Sequence, residues 1–231
     1  MKNYLSICLA LLAGSLLLAQ GQETPFYAGD QSVFILPTAN TMPQAKVAIT
    51  SCELLVWQCS ISATDRLHLS AGTVLPIEQG LFNTFSFGAK YRYLSYGKLK
   101  SAAWLSFSPY SAMITLGNVF SLSGEKASLH LAGTVFSQTR DGDTRFGVGM
   151  GGTAKLVGFV NIMGEAFIVP DMIWTEQDVF EDPTSYASMY ILGLRLKLKR
   201  GSLDLGGIRE FDMPKEDTMY ALPFIKLTMV F

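Results

Sequence analysis

His68 and Ser70 stand two residues apart in the stretch Leu67-His68-Leu69-Ser70, and His130 is the other of the 2 histidines in the chain. A serine beside an imidazole is the beginning of an activated nucleophile, which also needs an orienting group to do acyl chemistry. The same histidines serve equally well as packing or hydrogen-bonding groups of an interior. Residues 146–152, Phe146-Gly147-Val148-Gly149-Met150-Gly151-Gly152, are not a phosphate-cradling loop, since glycine takes the inward parity of a strand and no helix follows. Asp141 and Asp143 flank Gly142, which is turn chemistry, and no metal or other cofactor is expected.

A second set of candidates is electrostatic. If the strand parities below hold, Lys46, Lys90, Arg92, Lys100, Arg145, Arg195, Lys197 and Lys226 face one side, opposed there by Glu165, Asp204 and Glu210. A ring of cations in a narrow pore favours anionic solutes through its field. The alternative is that these side chains pair with acids and solvate a plugged lumen. The acids Asp171, Glu176, Asp178, Glu181 and Asp182 gather instead in the long connection 170–185, which would lie at the outer end and could bind a partner.

Both sets need elements to position them, and composition narrows the choice. Of 231 residues, 49% are hydrophobic and 16% charged, with a net charge of -1. That profile excludes disorder and gives no basis for nucleic-acid binding. A membrane helix needs roughly 20 consecutive apolar residues, and only the N-terminus offers a comparable run. There Met1, Lys2 and Asn3 precede an apolar stretch over 4–18, so residues 1–19 read as a secretory signal peptide that is removed. Cys8 falls within it. Cys52 and Cys59 remain, seven residues apart, and no disulfide framework is expected.

From residue 45 onward the period is two. In 84–93, Phe85, Phe87, Ala89, Tyr91 and Tyr93 alternate with Thr84, Ser86, Gly88, Lys90 and Arg92. Leu192, Leu194, Leu196 and Leu198 alternate with Gly193, Arg195, Lys197 and Lys199. A helix of period 3.6 cannot keep such sets on one side. Strands of about ten residues, with Gly, Ser, Thr and Ala opposite Leu, Phe, Val and Ile, suit a tilted crossing of a membrane better than a soluble sandwich. The reading is a transmembrane antiparallel up-and-down β-barrel over 45–231. Its strands are 46–51, 54–62, 67–75, 82–94, 99–108, 111–121, 127–136, 145–154, 159–169, 186–198, 202–211 and 220–231; two short outer connections leave the count open to ten or fourteen.

Short connections at 63–66, 95–98, 122–126, 155–158 and 199–201 alternate with longer ones, as periplasmic turns alternate with external loops. Tyr91, Tyr93 and Phe231 would then lie outward near the periplasmic ends, in an aromatic girdle. Residues 20–44 do not alternate, and Pro37 and Pro43 argue for an irregular segment that either packs inside the lumen or forms an incomplete first strand.

The chain ends with Ile225, Leu227, Met229 and Phe231 on one face. A terminal Phe preceded by alternating apolar residues resembles the C-terminal signature of bacterial outer-membrane β-barrel proteins. That resemblance implies recognition by the barrel-assembly machinery and contact with outer-membrane lipid and lipopolysaccharide. Through residues 60–69 and 85–93 the body also looks like small outer-membrane proteins common in Bacteroidota, and this implies no activity. His68 and Ser70 resemble the pairing in lipid A deacylases, but the residues that surround the pair in that family are missing here. The resulting expectation is an outer-membrane barrel acting as a small passive channel or transport-related protein whose basic lumen (Lys90, Arg92, Lys100, Arg195, Lys197 and Lys226, with Glu165 and Asp204) favours anions. A lipid-modifying hydrolase using His68 and Ser70, and a structural or surface-interaction barrel, are the alternatives; the oligomeric state is not legible.

Overall fold

The structure is a computed structural model describing residues 30–74, 84–140, 142–170, 186–198, 200–211 and 221–231. Residues 1–29, 171–185 and the acid Asp141 lie outside the described residues, and with them the signal-peptide reading and the acidic cluster of the long connection. Twelve antiparallel strands close into one barrel, β1 pairing with both β2 and β12. The strands are β1 (Val47–Cys52), β2 (Val56–Ser62), β3 (Leu67–Val74), β4 (Ser86–Tyr96), β5 (Leu99–Ser108), β6 (Met113–Ser123), β7 (Ala127–Gln138), β8 (Thr144–Val157), β9 (Val160–Pro170), β10 (Tyr186–Lys197), β11 (Gly201–Glu210) and β12 (Leu222–Val230). Closure leaves no strand with an unpaired edge, which a row of backbone donors and acceptors in lipid would require.

The period-two pattern becomes two faces. Along β7, Leu129 and Leu131 are exposed on the outside while His130 and Ala132 are buried inside. Neighbouring strands repeat this in register: Leu131 sits opposite Phe120 on β6 and Met150 on β8, and all three are more than half exposed. The outer wall is therefore a continuous apolar band, far larger than the patch a water-soluble monomer carries. At the terminal strand Ile225, Leu227, Met229 and Phe231 point out, and Phe224, Lys226 and Thr228 point in.

Two bulges disturb the register, one at Arg92/Leu94 and one at Lys155/Val157, both toward the short-turn end. The first leaves Tyr93 without a direct partner on β5. Its hydroxyl bonds to Ser101 Oγ (2.6 Å) and Asn118 Nδ2 (2.7 Å), which satisfies polar groups that would otherwise sit on an apolar wall. The turn between β8 and β9 needs a left-handed residue, supplied by Gly158 at φ 51°. The turn between β1 and β2 takes the same backbone conformation with Glu53 and Leu54 at φ 53° and 60°.

Candidate functional site

An irregular chain inside a barrel carries backbone groups with no ladder to join, so the wall must supply partners. Residues 30–44 meet that condition. They enter at the short-turn end, where the Ala45 N–H donates to Ser62 O at 2.9 Å, and their side chains Val33, Phe34, Leu36, Ala39 and Met42 are buried within the barrel. A tight turn over 33–36, closed by Val33 N–H donating to Leu36 O at 2.9 Å, aims three successive backbone N–H groups one way. All three end on one carboxylate. Phe34 and Leu36 donate to Glu165 Oε2 at 2.9 and 3.0 Å, and Ile35 donates to Oε1 at 2.8 Å.

The carbonyls of the same segment face the wall's cations. Lys90 Nζ donates to the carbonyl oxygens of Gln31, Thr38 and Asn40 at 3.3, 3.1 and 2.8 Å. Lys226 Nζ donates to Ser32 Oγ at 2.6 Å and Phe34 O at 2.7 Å. Arg195 holds both carboxylate oxygens of Asp204 at 2.7 Å and turns Nη2 onto Ser32 O at 3.0 Å. Arg195 and Asp204 are 1% and 0% exposed, so the ion pair is fully withdrawn from water and holds only because each charge is partnered. Lys100 Nζ reaches Asn40 Oδ1 at 3.2 Å, Arg92 donates to Asp65 O at 3.2 Å, and Lys197 pairs with Asp30 at 3.2 Å.

Of the other charges read as inward, Lys46 is exposed at the mouth and Glu210 is exposed at the far end. Arg145 pairs with Asp143 at 2.7 Å beside Gly142, whose φ of 72° marks a turn. Cys52 and Cys59 are free thiols. Among the described residues, no group of three or more His, Cys, Asp and Glu side chains could hold a metal ion.

The histidines also hold the segment. His68 Nε2 accepts the Met42 N–H, and Nδ1 is buried with no hydrogen-bond partner among the described residues, so the ring makes no bond to Ser70. His130 Nδ1 lies 2.7 Å from Ser121 Oγ, which accepts the Ala39 N–H at 2.8 Å. His130 Nε2 continues to Ser128 Oγ at 2.9 Å. Ser121 carries no sequence signal apart from its inward parity.

Packing completes the seat. A Cβ at Gly149 would lie 2.5 Å from Leu36 Cδ1, and one at Gly151 would lie 3.1 Å from Cδ2. Bare backbone on the inner face of β8 therefore forms the notch that Leu36 fills. The Phe34 ring meets Phe224 edge-on, with centroids 5.4 Å apart. A space of about 800 Å³ opens on the short-turn side of the segment, lined in part by Arg92, Lys100, Lys126, Lys155 and Lys197 together with Asp30 and Glu125.

No protein-family model and no curated protein matches the chain. Solved structures do resemble it. An outer membrane channel from Pseudomonas putida F1 is 11% identical, with a TM-score of 0.48, over 91% of this chain and 100% of that one. A multiply substituted Rh. blastica porin is 12% identical, with a TM-score of 0.40, over 76% of this chain. The chain spans about half of that porin's length, 55%.

Proposed function

We propose that this chain is a bacterial outer-membrane barrel acting as a small, gated transport channel, closed at rest by residues 30–44 and favouring anionic solutes. The observation that carries the reading is the basic vestibule ending on a segment held by charged side chains. Arg92, Lys100, Lys126, Lys155 and Lys197 line it against Asp30 and Glu125, a local excess of cations that raises the concentration of anions at the mouth. Behind it, Lys90 and Lys226 are engaged by backbone carbonyls of the segment and become available to a passing anion when it moves, while Arg195 stays paired with Asp204. The apolar outer band and the closed sheet support a membrane setting. In this reading the outward row Ile225, Leu227, Met229 and Phe231 is what the assembly machinery recognises, and lipid and lipopolysaccharide surround the wall.

A hydrolase using His68 draws no support from the site, because the base's Nε2 already accepts a backbone N–H and Ser70 is not bonded to it. The test of the proposal is a reversal potential across a planar bilayer under a salt gradient. Open events of the full barrel are expected to pass chloride in preference to potassium, and Lys126→Glu with Lys155→Glu to reduce that preference. A cation preference in the unaltered protein would overturn the reading.

A further inference from the structure

A second space, of about 560 Å³, lies on the opposite side of residues 30–44, toward the longer connections. Its chemistry is the reverse of the vestibule's. The segment provides a floor of Ile35, Leu36 and Pro37, while β5, β7 and β9 contribute Trp104, Phe136 and Phe167. Glu210 is the one charged side chain among the described residues that line it. Ile35 is 54% exposed although Val33, Phe34 and Leu36 beside it are buried, so the segment turns an uncovered apolar side chain into this space. The Trp104 indole lies flat on the wall because β6 has Gly117 beneath it, where a Cβ would come within 2.1 Å of the ring. A wall glycine thus makes room for an aromatic surface facing the cavity.

We propose that this cavity is a binding site for a small, uncharged, predominantly apolar molecule of about one or two fused rings. The volume falls in the range of small-molecule sites, roughly 300–1,000 Å³, and such sites are apolar with a few placed polar groups. Here Thr115 and Thr134 supply hydroxyls for a single polar substituent. Glu210 disfavours a carboxylate or phosphate ligand, which sets this site apart from the basic vestibule. The assignment does not depend on the barrel passing anions.

The test uses Trp104 as its reporter. In the full chain carrying Trp57→Phe and Trp174→Phe, reconstituted in lipid nanodiscs, 1-bromonaphthalene is expected to quench the remaining fluorescence saturably. Thr134→Phe and Ala187→Phe fill the cavity from different strands and should each raise the half-saturating concentration at least tenfold, leaving only the linear quenching due to partition into lipid. Lys126→Ala, in the vestibule, should leave it unchanged. Circular dichroism confirms that each variant is folded, and two filling variants keep the test intact if one fails to fold. 1-Naphthoate should bind at least tenfold more weakly than the neutral probe. Linear quenching in the unfilled protein, half-saturation in both filled variants unchanged from that of the unfilled protein, or tighter binding of naphthoate or of 1-naphthylmethylammonium would each overturn the proposal.

Discussion

Along β7 the outward parity carries Leu129, Leu131 and Val135, the strand joins a ladder on each side, and Leu131 meets Phe120 and Met150 at its own level. Residues 30–44, a few ångströms inside that wall, have no ladder beyond one bridge between Ser32 and Pro37. Their backbone is satisfied by side chains instead, above all Glu165, Lys90, Arg195 and Lys226. The wall is therefore specified by a repeated, local rule, and its many equivalent bonds make it tolerant of single losses. The enclosed segment is specified by individual side chains scattered through the wall, among them Glu165, Lys90, Arg195 and Lys226 with His68 and Ser121. In the gating proposed above, the segment leaves without breaking the strand-to-strand ladder, because its bonds to the wall run mainly through side chains.

Substitutions at the two regions separate these contributions. The largest effect is expected from Arg195→Ala, which leaves the Asp204 carboxylate buried beside Lys226 with its main partner gone and frees the Ser32 carbonyl. Removing one partner of a buried pair costs about 3–5 kcal/mol. Urea unfolding in lipid should show that loss, with faster amide hydrogen exchange over 32–42. Next comes Leu131→Arg, which touches only the outer wall. At mid-membrane depth it should cost about 2–4 kcal/mol of barrel stability while exchange at Phe34–Leu36, relative to the wall, stays unchanged. Gly149→Ala brings a methyl against Leu36 and should cost about 1–3 kcal/mol, felt mainly as looser seating of the segment. The smallest change is Leu54→Gly in the β1–β2 turn. It relieves a left-handed leucine worth about 1–2 kcal/mol but adds chain entropy, so a net gain below about 1 kcal/mol should appear in the same unfolding assay.

The difference between the regions also decides what could be read from residue order. Alternation at Leu192–Lys197 or Phe85–Arg92 is a local property, so a barrel of about twelve strands and their facing follow from it, with ten or fourteen left open by two short outer connections, and the departures fall at ends and bulges such as Arg92/Leu94. Residues 30–44 show no period. The prolines marked them as irregular, yet whether they filled the lumen or began a strand was open, because their bonds to Glu165 span 129–131 residues of sequence. The glycines of β8 were visible on the inward parity, but their role as the notch for Leu36 depends on that distant partner. Ser121 and His130 are a similar case: inwardness was legible, and the Ala39 N–H that Ser121 receives was not. Trp104 over Gly117 needed the register of β5 against β6 before the two could be seen to meet.

The account turns on residues 30–44 closing the lumen, and conductance measures that most directly. Single-channel recordings of the full chain should show a closed baseline with rare openings, and the same barrel lacking residues 32–42 should conduct steadily. Equal, sustained conductance from both proteins would contradict closure by this segment.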